Sequence, residues 1–143
     1  MFGNNESSVR VDNGSTTLIA KGTEVVGELH FSGNLEIEGV VKGNIISDEG
    51  VESAQVRVQS SGEVYGDVVA PTVVINSKVV GNIYSSKRIE LAERAEVNGD
   101  VHYQIIEMVK GAQVNGGLLY SPTAGTQRDA GRDAESQSGE RVE

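Results

Sequence analysis

Between Thr17 and Tyr120 hydrophobic and polar positions alternate in short runs that return about every 18 residues. The fragment Val, any residue, Gly, any residue, aliphatic starts at Val25, Val41, Val64, Val79, Val97 and Val114. Its glycines are Gly27, Gly43, Gly66, Gly81, Gly99 and Gly116, at spacings of 16, 23, 15, 18 and 17. Two residues before each glycine stands Val. Two after it stand Leu29, Ile45, Val68, Ile83, Val101 and Leu118, and four before it only small residues or Thr23. The odd offsets are mostly polar, among them Glu24, Glu63 and Glu96, and then Glu28, Asn44, Asp67, Asn82 and Asp100. A period of two with one apolar face predicts a strand; a helix would not keep it.

A second short run, apolar at its first and third positions, precedes each of the later five fragments, from Leu35-Glu36-Ile37 through Val73-Val74-Ile75 to Ile106-Glu107-Met108. A third follows each fragment, from His30-Phe31 to Leu119-Tyr120. Two to three short strands per repeat fit one coil of a parallel β-solenoid, each stacked on the next at roughly 4.8 Å. The pattern predicts about six coils and a right-handed parallel β-helix, the hand that parallel crossovers favour. A left-handed helix of hexapeptide type would need apolar residues every six, and the unequal spacings do not keep that period. The glycine marks a corner where the backbone turns into a narrow core. Variable spacing is expected at one corner, with Asp48 to Ser53 as the main insertion.

The flanks lack core residues. Residues 1–16 and 121–143 read as disordered tails around a folded unit, residues 17–120; the second tail holds one large aliphatic residue, Val142. Deleting Ser121 to Glu143 is expected to leave the fold intact. No capping helix is readable, and both end coils are apolar: Leu18 and Ile19 in the first, Leu118, Leu119 and Tyr120 in the last. Uncovered solenoid ends present unpaired backbone groups, which predicts end-to-end stacking into a filament through those five residues. Leu119→Arg is expected to disrupt it, because an arginine in an apolar joint is unpaired. The alternative is a monomer whose tails cover both ends.

Charge and composition narrow the chemistry. Of 143 residues, 21 are acidic and 12 basic, a net charge of −9, which argues against direct nucleic-acid binding. There is no Cys, so thiolate chemistry is excluded. No apolar run approaches the ~20 residues of a membrane span, and no signal-peptide core is readable, which predicts a cytoplasmic protein. The phosphate-cradling Gly-x-x-x-x-Gly-Lys-Ser/Thr loop is absent, so polymerisation is expected without nucleotide. His30 and His102 share one column, four coils apart, and cannot act together within one molecule. That column also holds Ile46, Val69, Tyr84 and Leu119, and reads either as an outer apolar stripe or as inward packing. Asp67 and Asp100 flank Asn82 in another column. They suit a hydrogen-bonding ladder, with a carbohydrate-active β-helix enzyme as the rival reading. No catalytic, cofactor or metal residue is assigned. A monomeric binding module is a further alternative.

The stretch TLIAKGTEVVGELHFSGNLEIEGVVKGNI, Thr17 to Ile45, closely resembles the opening of the bactofilin domain. The recurring Glu63-Val64-Tyr65-Gly66-Asp67 and Glu96-Val97-Asn98-Gly99-Asp100 fit it too, and the likeness extends to Tyr120. The resemblance implies a three-faced right-handed β-helix and a bacterial cytoskeletal scaffold that forms non-polar filaments without nucleotide. It also implies a place on the inner face of the cytoplasmic membrane. Expected partners are other copies of the chain, other bactofilins and peptidoglycan-modifying enzymes. Members often reach the membrane through an N-terminal Met-Phe segment with a basic residue. Met1 and Phe2 match it; the first basic residue here is Arg10.

Overall fold

The computed structural model describes residues 15–122, and the expected tails and the Met1-Phe2 contact lie outside them, apart from a few residues at the tail margins. Short Val- and Ile-rich runs separated by glycine and small polar residues cannot sustain helices, and strands take them up. The first coil contains β1 (Thr16–Ile19), β2 (Glu24–Val26) and β3 (Leu29–Phe31). The second contains β4 (Asn34–Ile37), β5 (Val40–Lys42) and β6 (Ile45–Ser47). The third has β7 (Gln55–Val58), β8 (Glu63–Tyr65) and the start of β9 (Val68–Ile75), whose end opens the fourth. The fourth continues with β10 (Lys78–Val80) and the start of β11 (Ile83–Leu91), whose end opens the fifth. The fifth continues with β12 (Glu96–Asn98) and β13 (Val101–Tyr103). The sixth holds β14 (Ile105–Met108), β15 (Gln113–Val114) and β16 (Leu118–Tyr120).

Every strand pairs in parallel with its equivalent in the next coil, as a wound chain requires. The result is a β-solenoid of six turns with three faces. The second face is a six-stranded sheet, β2-β5-β8-β10-β12-β15. The first and third faces join into one ten-stranded sheet because β9 and β11 run through the corner between them. Among the described residues no helix is long and apolar enough to cross a membrane.

The alternating pattern sets which side of each strand faces in. Val41, Val64, Val79 and Val97 stack on the second face, and Ile45, Val68, Ile83 and Val101 on the third; all are fully buried. Leu35, Val56, Val73 and Ile89, with Ile37, Val58, Ile75 and Leu91, fill the first face. Burial of each such side chain contributes roughly 1.5–3 kcal/mol relative to exposure.

The repeat glycines hold the corner between the second and third faces, where two residues intervene in each of the first five coils and three in the sixth. A methyl group on Gly66 would sit 2.2 Å from the carbonyl oxygen of Gly43, and one on Gly81 2.1 Å from that of Gly66. Backbone stacks on backbone there, leaving no room for a side chain. The insertion at Asp48 to Ser53 lies between the third and first faces, where β6 ends and β7 begins. The expectation that one corner absorbs the uneven spacing is corrected. The corner from first to second face also varies, using two residues between Ile37 and Val40 but four between Val58 and Glu63. The physical reason is that only the corner with the stacked glycines is sterically locked.

Candidate functional site

The two ends of the rod differ. In the last coil the inward columns reach the surface. Leu118 continues the column of Val101 and is 47% exposed, where Val101 is fully buried. Met108 continues that of Leu91 and is 43% exposed, where Leu91 is 1% exposed. Tyr120 is 65% exposed and tilts against Tyr103, ring centroids 5.9 Å apart. Ile106 and Val114 are partly buried against the core and complete this apolar end. In the first coil, by contrast, Ile19, Leu29 and Phe31 are buried.

The five residues selected from sequence therefore fall in different settings. Leu18 is exposed on the outside of the first face, and Ile19 is buried beneath it. Leu118 and Tyr120 lie in the inward register of the sixth coil. Leu119 pairs with His102 and points outward on the third face. Leu18 and Ile19 sit five coils from the other three, at the opposite end of the rod. Ile106, Met108 and Val114 were missed as members of the end surface. The signal for them was present: the same period of two that makes Ile89, Leu91 and Val97 core residues continues into the last coil, where no further coil follows among the described residues.

The polar corner column is a hydrogen-bonded ladder. The Asn44 Oδ1 accepts the Asp67 backbone N–H at 2.9 Å, and the Asp67 Oδ1 accepts that of Asn82 at 2.9 Å. The Asn82 Oδ1 accepts the Asp100 N–H, and the Asp100 Oδ1 accepts that of Gly117, both at 2.9 Å. Each side chain thus satisfies a backbone donor one coil further on, which the alternation of Asn and Asp permits because both supply the same oxygen. Gly117 carries no side chain, so the ladder stops at the exposed end.

His30 and His102 occupy the outward column of the third face, in register with Ile46, Val69, Tyr84 and Leu119. The column faces outward because its strand neighbours are core residues, such as Leu29 and Phe31 beside His30. The His30 Nε2 lies 3.0 Å from the Glu28 Oε1. His102 stacks on Tyr84 with ring centroids 4.5 Å apart. Burial lowers the imidazole pKa of His102, opposed by the charge of Asp100. The first two faces carry ion pairs, with the Lys42 Nζ 2.8 Å from Glu24 and Arg88 forked between Glu90 and Glu107. Hydrogen bonding to Glu24 raises the Lys42 pKa, and bonding to Glu90 raises that of Arg88.

A family model described as "Bactofilin: Polymer-forming cytoskeletal" matches residues 17–118. A curated relative, Bactofilin BacO of Myxococcus xanthus (strain DK1622), is 32% identical over 104 residues, spanning 73% of this chain and 79% of that protein. No solved structure matches.

Proposed function

Since this chain belongs to the bactofilin family, a structural family of polymer-forming cytoskeletal proteins, we propose that it builds filaments by end-to-end stacking of its solenoid without nucleotide, and that the filament is a scaffold for cell-envelope factors at the inner membrane. The observation that supports this reading best is the open sixth coil. Leu118 and Met108 occupy columns that are buried throughout the interior of the rod, yet stand 47% and 43% exposed at its end, and Tyr120, 65% exposed, continues the column of half-buried Tyr103. A second sixth coil laid against it would remove that apolar surface from water and pair the open strand edges.

A joint between two like ends has twofold symmetry, so every favourable contact occurs twice. Alternating like-to-like joints give a filament without polarity. Leu118 and Tyr120 belong to this joint, with Leu119 at its rim on the third face. Ile19 and Leu18 belong to the opposite end, where Ile19, Leu29 and Phe31 are already buried and Val25 is half-buried, so the sixth coil offers the more exposed apolar core. Met1 and Phe2 are proposed as the membrane contact; one aromatic residue is a weak anchor by itself, and repetition along a filament strengthens it by avidity. The test is sedimentation velocity with negative-stain electron microscopy on the full chain in nucleotide-free buffer. Long filaments are expected; a single species near 15.1 kDa would refute the proposal.

A further inference from the structure

On the third face each coil turns one side chain outward, so His30, Ile46, Val69, Tyr84, His102 and Leu119 form a single row along the rod. All are partly exposed except Leu119, which is exposed. The outward rows of the other faces interleave charged with apolar residues: Leu18, Glu36, Arg57, Val74 and Glu90 on the first, Glu24, Val40, Glu63, Lys78 and Glu96 on the second. The third-face row has no carboxylate, lysine or arginine. Its margins do. One is the corner row of Glu28, Asp67 and Asp100, in which Asp67 and Asp100 each commit one oxygen to the next coil's backbone. The other is the insertion bearing Asp48, Glu49 and Glu52, beside which Lys87 donates to the Glu52 carbonyl oxygen at 3.1 Å.

We infer that this bordered stripe is the docking surface for an amphipathic helix of a partner protein, one whose apolar face is edged by Lys or Arg. Spacing supports a helix lying along the rod. The stripe offers one side chain per coil, at roughly 4.8 Å, against a helix pitch of about 5.4 Å. Glu28, Asp67 and Asp100 recur every second coil, at roughly 9.6 Å, close to the ~10.5 Å that separates residues seven apart on a helix. From His30 to Leu119 the stripe runs about 24 Å, the length of ~16 helical residues.

Charge selects the partner. The segments of this chain outside the described residues do not fit: residues 1–14 carry Arg10 against Glu6 and Asp12, and residues 123–143 carry three Arg against five acids. A second copy brings the same acidic margins and a net charge of −9. A basic helix is the complement of both borders. The scaffold reading enters only in the origin of that helix, a recruited partner.

The probe is a fluorescent synthetic helix of about 18 residues, with leucines on one face and lysines along both edges. It is compared with a scrambled peptide of the same composition, by anisotropy against the full chain. The amphipathic peptide is expected to bind at least about tenfold more tightly than the scrambled one. The triple variant Glu28→Gln, Asp67→Asn, Asp100→Asn preserves the ladder, since Asn44 and Asn82 already serve in it. It should weaken binding by roughly tenfold at low salt, and the difference should fade at high salt. Val69→Asp should abolish binding, and Val69→Thr, which keeps a β-branched side chain, should weaken it with the melting temperature unchanged. Equal binding of the scrambled peptide, indifference to all these variants, or displacement by a synthetic peptide of residues 1–14 would overturn the inference. Filaments are scored by microscopy in the same samples. Intact filaments without peptide discrimination sink the inference alone, and peptide binding without filaments sinks the assembly reading alone.

Discussion

Replacing Leu118 by arginine separates assembly from folding. Leu118 is 47% exposed and ends the column above fully buried Val101, so the monomer loses only half of a leucine's burial, about 1 kcal/mol. In the joint the loss is larger. Each of two symmetry-related leucines would give up the remaining half of its burial, about 1 kcal/mol apiece, and each arginine would lose its hydration, costing several kcal/mol per ion. A destabilisation of roughly 5 kcal/mol or more per joint weakens association at least about a thousandfold. Leu119→Arg, which the sequence pattern alone expects to disrupt assembly, should instead cost at most about tenfold, because Leu119 points outward at the rim and its replacement keeps the guanidinium in water. Sedimentation velocity across a concentration series measures both, with a melting temperature for each variant. Filaments of Leu118→Arg that form at the wild-type concentration, from protein that melts like wild type, would refute the reasoning about the sixth coil.

Other perturbations test the rest of the account. Gly66→Ala drives a methyl group to 2.2 Å from the Gly43 carbonyl oxygen and should cost roughly 3 kcal/mol or more. Gly27→Ala meets nothing within 4 Å and carries only the strain of its φ of +126°, about 1–2 kcal/mol; urea unfolding that ranks the two the other way would contradict the stacked-backbone corner. Asn82→Ala removes the acceptor of the exposed Asp100 N–H and should cost about 0.5–1.5 kcal/mol, whereas Asn82→Asp keeps the acceptor and should cost less; equal losses in thermal melts would count against the ladder. Burial holds His102 below the ordinary histidine value of 6.5. Beneath that pH the unfolded chain takes up a proton that the folded site resists, so the stability this site contributes is intact above pH 6.5 and declines as the pH falls below it. His102→Gln should flatten melting temperature against pH between about 7.5 and 5.5, and an unchanged slope would remove His102 as the cause.

Much of the fold was legible because the solenoid repeats one physical constraint six times. The column of valines two residues before each glycine is also the register of the second face, so reading one strand read them all. The insertion at Asp48 to Ser53 stood out because it breaks that register. The corner lengths did not, since a glycine spacing reports only the sum of two variable corners. The joint was legible in part. Leu118, Leu119 and Tyr120 are consecutive, but their roles diverge by strand alternation, and only the pairing of Leu118 with Val101 fixes which of them continue the core. The difference between the ends was not legible, because Leu29 and Phe31 look as apolar in sequence as Leu118 and Tyr120 while their burial is opposite. The Asp67 and Asp100 column was read as a ladder, but its partners are backbone N–H groups of the next coil, which sequence pattern does not display.

The most direct measurement is a cryo-electron microscopy map of filaments grown from the full chain without nucleotide. The account predicts an axial repeat built from rods of roughly 29 Å, six coils at ~4.8 Å, with Met108, Leu118 and Tyr120 of one copy buried against the same residues of the next. Filaments whose copies join through the third face, or that leave the sixth coil in solvent, would contradict it.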